Sequence, residues 1–512
     1  MRRSPVTKLI RGAGRLALLL LSPILASVAC TSLTETPTSS ITPETFYSNE
    51  TEVLGGLAGV YSQLRNTLWA YYNLSEISTD EMVVPTRGQD WYDNGRWLEI
   101  HRQLWGANTP AGLEDVNGAW VDAFTGVARS NVLLDALQKV SFADRPGIEA
   151  ELRTLRAFYY YMLMDMFGGV PIVTTTEIVP RERKTRAEVF SFIETELKAA
   201  RDGLPLTRPA TEQGRLTKGS ANAILANMYL NAEVFTGTVT AGGLQKGAAH
   251  WADAVATADL ILNSGVYSLA TDWRSSFRSS NHTSPENILV VHHLNQTGLG
   301  LNFVMRLLHY NQFNPSPWNG FSTLADAYNA FDAADQRRQI FLVGPQVNVE
   351  TNQPVNDRTG QRLIFTTTIN DVTQATEGEG ARIMKWPPDP NHLSENNGND
   401  FAYFRLGEIY LIKAEAQFNL GNTAGALQLL NTLRARVFSP AKPLTTVTPD
   451  IILQERLFEL TAEAKRRQDL IRFGKYTLAF AFKSLREPYR ILMPIPQTQI
   501  GANPLLTQNP GY

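Results

Sequence analysis

His292-His293 is the one adjacent histidine pair in the chain. Neighbours on an extended strand point to opposite faces, so the two cannot grip one ion together. The other histidines are scattered and no H-E-x-x-H occurs, so no metal site is assigned and the metal question stays open. Gly55-Gly56-Leu57-Ala58-Gly59 lies inside an apolar helical stripe and lacks the strand and acid of a dinucleotide site; it reads as helix packing. There is no phosphate-binding G-x-x-x-x-G-K-[ST] and no G-x-S-x-G. Carboxylates such as Asp80 and Glu81 are the right groups for glycoside hydrolysis, but that chemistry needs a pair about 5–9 Å apart and no spacing in the sequence supplies one. No catalytic residue and no cofactor is expected. The charged run Glu455, Arg456, Glu459, Glu463, Lys465, Arg466, Arg467, Asp469, Arg472 puts acids early and bases late, as the dipole of a single helix over 449–473 favours. It reads as a solvated or internally paired helix, with Glu463 and Arg467 at i,i+4.

The aromatic residues are the exception. Trp69, Tyr71, Tyr72, Trp91, Tyr92, Trp97 and Trp105 crowd one stretch, mixed with Arg87, Asp90, Asp93, Asn94 and Arg96. Trp91, Tyr92 and Trp97 do not fall at the 3.6-residue spacing of a helical core. Sugar rings pack their C–H faces on aromatic planes, while carboxylates, amides and guanidinium groups bond the hydroxyls. A second source is Asn314-Pro315-Ser316-Pro317-Trp318-Asn319-Gly320, a turn-rich loop able to hold an indole outward. The ligand site is therefore expected on Trp91, Trp97 and Trp318, with Tyr92, Arg87, Asp90 and Asn94 as polar or secondary contacts. Tryptophans that merely plug a loop onto the core are the competing reading.

The 512 residues are 43% hydrophobic and carry 47 Lys+Arg against 49 Asp+Glu, a net charge of −2. Such a chain buries a sizeable core, and without a positive surplus it is not expected to bind nucleic acid. The basic leader (Arg2, Arg3, Lys8, Arg11, Arg15) precedes an apolar run, Leu16 to Ala29, shorter than the ~20 residues a membrane-crossing helix needs. Small residues then precede Cys30, the only cysteine, so no disulfide framework or Cys-based zinc site is available. Residues 1–29 are read as a lipoprotein signal peptide, Cys30 as the lipidation site, and the Thr-rich stretch 30–41 as a lipid-anchored flexible tether.

Helical periodicity dominates from Thr42-Pro43-Glu44, a cap with proline at the first helical position. Stripes run through Val53–Leu68, Val116–Leu137 and Ile148–Met166, the last stopped by Gly168-Gly169. Further helices are expected at 186–201, 218–234, 247–263, 324–335, 401–419, 423–437 and 449–473. Two pairs, at 221–261 and 409–433, look like tetratricopeptide-type hairpins, although four clean repeats are not visible. Residues 70–115 are loop-like and aromatic. Residues 271–400 are a loop-rich segment with β-like runs only at Ile288–His292 and Leu363–Ile369. The folded domain thus spans 42–512, divided as 42–270, 271–400 and the C-terminal helices and coil of 401–512.

Several ordered motifs resemble those of the SusD/RagB family of outer-membrane nutrient-binding lipoproteins. They are Leu155-Arg156-Ala157-Phe158-Tyr159-Tyr160 running to Phe167-Gly168-Gly169-Val170-Pro171, Arg215-Leu216-Thr217-Lys218-Gly219-Ser220-Ala221 through Tyr229-Leu230, and Arg405-Leu406-Gly407-Glu408-Ile409-Tyr410 through Ala416. Glu455-Arg456 with Glu459-Leu460 and Asp469-Leu470-Ile471-Arg472-Phe473-Gly474 follow, and the ending Asn503-Pro504 through Gly511-Tyr512 is similar too. The resemblance implies a mainly all-α fold with tetratricopeptide-like helix pairs, long ligand-facing loops and a few short strands. It implies a non-enzymatic protein, surface-facing on the bacterial outer membrane, that delivers ligand to a SusC-like TonB-dependent transporter. The motifs are scaffold in such proteins, so no ligand residue is carried over from them. The aromatic loops make glycan the leading ligand; a peptide-binding component, or a structural subunit without ligand affinity, are the alternatives.

Overall fold

Helix α1 (Glu50–Thr67) starts where the Asn49 side chain accepts the Glu52 amide, and it buries Val53, Leu57, Val60 and Leu64 on one stripe. The computed structural model describes residues 47–512; the signal, Cys30, the tether and the Thr42 cap lie outside the described residues. The other long helices are α2 (Asn117–Leu137), α3 (Arg145–Phe167), α4 (Arg186–Arg201), α5 (Lys218–Leu230), α6 (Trp251–Leu262), α7 (Leu406–Asn419), α8 (Thr423–Ala435) and α9 (Pro449–Leu460), followed by the short α10 (Arg466–Arg472). From α1 to α8 each packs on its predecessor, and α9 returns to pack on α7. This makes a stack of helical hairpins in which each unit covers the apolar face of the last.

Close approach depends on small residues. A Cβ on Gly126 of α2 would lie 2.4 Å from the ring of Tyr159 in α3, so that crossing tolerates only glycine. Helix α4 opens with a capping box in which Thr185 and Glu188 satisfy each other's backbone amides.

Four short strands matter here: β1 (Met82–Val83), β2 (Asn287–Val291), β3 (Ser322–Thr323) and β4 (Phe401–Arg405). Strands β2 and β4 pair antiparallel, Phe401 opposite Val291, so the chain leaves the helical stack at 291 and re-enters it at 401. The loop-rich segment is thereby an excursion from one edge of the scaffold. Strands β1 and β3 also pair antiparallel, Val83 opposite Ser322, which ties the aromatic loop to that excursion.

Several expectations are corrected. The 401–419 helix begins only at Leu406, because Phe401–Arg405 is a strand buried on both faces. The 218–234 helix breaks at Asn231, and 247–263 is helical only from Trp251. Residues 324–335 hold the short helix Ala325–Ala330, and Leu363–Ile369 contributes only the strand Ile364–Phe365.

The charged run is neither solvated nor one helix. Between α9 and α10, Ala462 and Ala464 have φ of 64° and 60°, and their amides are capped by the buried carboxylates of Glu81 and Glu76. The charged side chains of the run are buried; Asp469 pairs inside it with Arg456 at 2.7 Å and Arg472 at 2.9 Å, in line with internal pairing, and most of the others find remote partners. Arg405 pairs with Glu459, Glu463 and Glu286, Arg337 with Asp335, Glu455 and Glu459, and Arg467 with Asp165 at 2.9 Å. The Glu463–Arg467 pair is therefore replaced by long-range ones. The periodicity misled because ion pairs buried by tertiary packing leave the same charge pattern as a wet helix face.

Candidate ligand-binding site

Strand β1 leads into a tight turn in which Arg87 and Asp90 exchange backbone hydrogen bonds of 3.0 and 3.1 Å around Gly88. Trp91 follows with φ of 61°, and Asp93, Asn94 and Gly95 are also left-handed. This contorted run throws the Trp91 ring back across the chain that enters β3. Its ring rests on Gly320, where any Cβ would lie 2.4 Å from it, and its Nε1 donates to the Trp318 carbonyl at 2.6 Å. Trp318 is held in turn by its amide, which donates to the Met305 carbonyl at 2.7 Å, and one side of it packs on the Val304, Met305, Leu308 and Phe313 cluster.

The aromatic rings form a graded series from interior to surface. Trp97 lies beneath Trp91, with centroids 5.1 Å apart, and Trp318 lies 6.5 Å from Trp91 on the outer side. Phe321 packs edge-on against both Trp91 and Trp97 at 5.7 Å. Trp97 is 1% exposed, whereas Trp91 and Trp318 are half-buried and Tyr92 is 55% exposed. Trp97 is thus a correction: it does not face solvent, its Nε1 donates to Asp93 Oδ2 at 2.6 Å, and the Arg96 guanidinium lies 4.4 Å over its ring. Its place in the sequence gave no warning, since it sits on the short helix Arg96–His101 that dips into the core. Tyr71, Tyr72 and Trp105 are core residues as well.

Arg87 is the second correction. It is buried, and its Nη2 donates to Ser322 Oγ at 3.0 Å and to the Glu379 carbonyl at 2.7 Å. Burial brings this guanidinium down to about 10, still charged at neutral pH. It braces the β1–β3 junction and does not reach the surface. Asp90 stays partly accessible and Asn94 is exposed.

Four residues of the loop-rich segment complete the polar side and carried no periodic signal. Asp90 Oδ2 accepts from the Tyr310 hydroxyl at 2.5 Å and from Arg358 Nη2 at 2.8 Å. The Arg358 guanidinium lies 4.1 Å over the Tyr310 ring and pairs with Glu377, which also bonds buried His309 at 2.8 Å. Burial, and then the bond to Asp90, push the Tyr310 phenol up. Burial alone would raise the Glu377 carboxyl, but the Arg358 amide, His309 and the Arg358 guanidinium outweigh it and hold it below the usual range. Burial lowers His309, which is therefore neutral at physiological pH. This network pins the Trp91 loop to the far loops, so the aromatic pair is set in place before any ligand arrives.

Nothing here resembles a catalytic constellation. Asp80 pairs with Arg466 at 2.7 Å and Glu81 is buried against Ala462, so neither flanks an open cleft. The His292 ring bonds Asp400 Oδ1 at 2.9 Å, and the His293 amide donates to the same oxygen at 2.9 Å while its own ring is buried. Among the described residues no three metal-ligating side chains cluster, and no helix is long and apolar enough to cross a membrane.

Comparison with known proteins places this geometry in context. Residues 265–490 match the family model described as "SusD family", and residues 35–230 match "Starch-binding associating with outer membrane". The chain is 25% identical to the starch-binding protein SusD of Bacteroides thetaiotaomicron, over 86% of this chain and 85% of that protein. It is 23% identical to SusD-like protein P25 of Formosa agariphila, over 94% and 96%. Among solved structures, a laminarin-binding SusD-like protein superposes with a TM-score of 0.73 at 24% identity, covering 91% of this chain and all of that one. Surface glycan-binding protein A of Bacteroides thetaiotaomicron, in complex with laminarihexaose, superposes with a TM-score of 0.71 at 22% identity, over 90% and 99%.

Proposed function

The chain belongs to the SusD/RagB family of non-catalytic binding proteins, and on that premise we propose that it captures glycan at the outer membrane and passes it to a SusC-like TonB-dependent transporter. The observation that carries the reading is the half-exposed pair Trp91 and Trp318, two indoles locked together and flanked by Tyr92, Asp90 and Asn94. An apolar platform with a few fixed hydroxyl-bonding groups suits a sugar ring. Ligands of that kind are named for its relatives, starch for one and laminarin for another. Trp97 and Arg87 support this platform from below and are not proposed as ligand contacts.

Calorimetric titration of the folded domain against a panel of polysaccharides tests the reading, with tryptophan fluorescence as a second readout. Saturable binding that Trp91→Ala and Trp318→Ala both weaken supports it. Response to peptide mixtures alone would favour a peptide importer, and response to neither a structural subunit.

Anchoring and partner follow from the same reading. Cys30 is proposed as the lipid-bearing residue, so Cys30→Ser should release a folded protein from membranes. Retention in the pellet after a carbonate wash, in cells lacking the transporter, would refute that. A large TonB-dependent barrel should copurify from native membranes in mild detergent, and its repeated absence by mass spectrometry would count against the transporter.

A further inference from the structure

We infer that this aromatic platform takes uncharged glycans and rejects those bearing carboxylate or sulfate groups, an inference that rests on the glycan reading and narrows it. Recognition of an anionic sugar calls for a guanidinium or ammonium group free to meet the anion. The loops around the platform, 84–95, 309–321 and 346–380, hold seven acids against three arginines and no lysine. Each of those arginines already donates within the protein, Arg87 through Nη2 alone, its buried Nε and Nη1 having no hydrogen-bond partner. Arg87 is buried under the junction, bonded to Ser322 and the Glu379 carbonyl. Arg362 donates to the Val355 carbonyl at 2.8 Å.

Arg358 alone reaches the surface beside the tryptophans, with its side chain 49% exposed. It is also the most tightly held. One edge bonds Asp90 and another Glu377, and its face covers Tyr310. The Glu377 bond first, and then Asp90, hold this guanidinium above its ordinary value. Drawing it toward an incoming carboxylate would leave Asp90 and Glu377 without their shared counter-charge. It would also free the loop that positions Trp91.

The arginines lying deeper offer no alternative. Arg382 and Arg306 are buried and donate to backbone carbonyls and to Asn319 or Asn302, and Arg96 is spent on Asp115 and Glu114. Their charge offsets part of the long-range field of the acids, so the discrimination acts at contact range. There the exposed charge next to Trp91 is Asp93, followed by the amide of Asn94. A sugar hydroxyl donates to such a carboxylate, whereas a uronate or sulfate in its place meets like charge with no cation to relieve it.

The test uses wild-type protein. Soluble starch, laminarin and galactomannan are titrated calorimetrically in 20 mM salt, alongside carboxymethylated and sulfated derivatives of each, and alginate and polygalacturonate. The expected result is binding to at least one neutral polymer and binding at least tenfold weaker to its charged derivatives. That gap should narrow in 0.5 M salt and in Asp93→Asn, because the opposition is electrostatic and exposed. Equal or tighter binding of a charged polymer overturns the inference and leaves the glycan reading standing. A gap indifferent to both salt and Asp93→Asn is steric, and overturns it too. Failure of every polymer, of either charge, removes the glycan reading itself.

Discussion

The indole of Trp91 hydrogen-bonds the main-chain carbonyl of Trp318 at 2.6 Å, across 227 positions of sequence. Each half of the aromatic platform therefore depends on the other loop for its position. The bond exists because β1 and β3, two residues each, bring the loops side by side, and because Gly320 leaves room for the ring.

The buried and half-exposed tryptophans should separate in experiment. Trp318→Ala is expected to cost about 1–3 kcal/mol of glycan binding with little change in melting temperature. Trp97→Ala, which empties a site in the core, should cost about 3–5 kcal/mol of stability. Titration and thermal melts of the two variants decide this; equal effects on both quantities would mean that the series is one structural unit.

Gly320→Ala should act on binding through Trp91. Its new Cβ would overlap the indole, so the ring must leave its seat and give up the bond to the Trp318 carbonyl. A strain of about 1–3 kcal/mol is typical of such overpacking. Affinity should fall at least tenfold, and the fluorescence of the unliganded protein should shift. Unchanged affinity would show that Trp91 is not a ligand contact.

Arg405 is the hub of the buried ion network, facing Glu286, Glu459 and Glu463. Arg405→Met leaves those carboxylates short of counter-charge and should destabilise the domain by about 3–5 kcal/mol. Denaturant titration measures the loss. A variant as stable as the parent would mean that Arg436, Arg337 and Lys385 neutralise the acids without it.

Burial raises Glu81 to about 7, and burial, then its neighbour Glu81, raises Glu76 well above the usual carboxyl range. A folded-state value above the unfolded one means that the folded protein holds the extra proton. The stabilisation is complete below about pH 4.5 and is lost as pH rises through about 7. Buried His101, His293 and His309 are shifted the other way, so the parent's own profile is mixed. The difference between Glu81→Gln and parent isolates the carboxyl. The variant should gain relative stability from pH 4.5 to about 7, on the order of 2 kcal/mol, and hold that gain above. Thermal melts across pH 4.5 to 8.5 test this, and a flat difference would refute it.

The helical stack was legible because its information is local. Val53, Leu57, Val60 and Leu64 repeat at helical spacing, Gly168 ends α3 and Thr185 caps α4, and each of those signals acts within a few residues. The aromatic residues Trp91 and Trp318 also stood out, since indoles in turn-rich loops are rare without a reason. What sequence by itself could not decide was depth. Trp91 and Trp97 are alike in type and six positions apart, yet one is half-exposed and the other buried, because the left-handed residues Trp91, Asp93, Asn94 and Gly95 turn the chain inward. Arg87 and Arg358 are both loop arginines, and only contact with Ser322 and Glu379 in one case, and Asp90 and Glu377 in the other, sets which is hidden. The charged run at 455–472 makes the same point: its pattern is that of a wet helix, yet beside the internal pairs of Asp469 with Arg456 and Arg472 its partners lie at Asp165, Arg337 and Arg405. Burial and pairing are properties of the packed whole: they depend on surfaces contributed from hundreds of residues away, and periodicity carries no term for them.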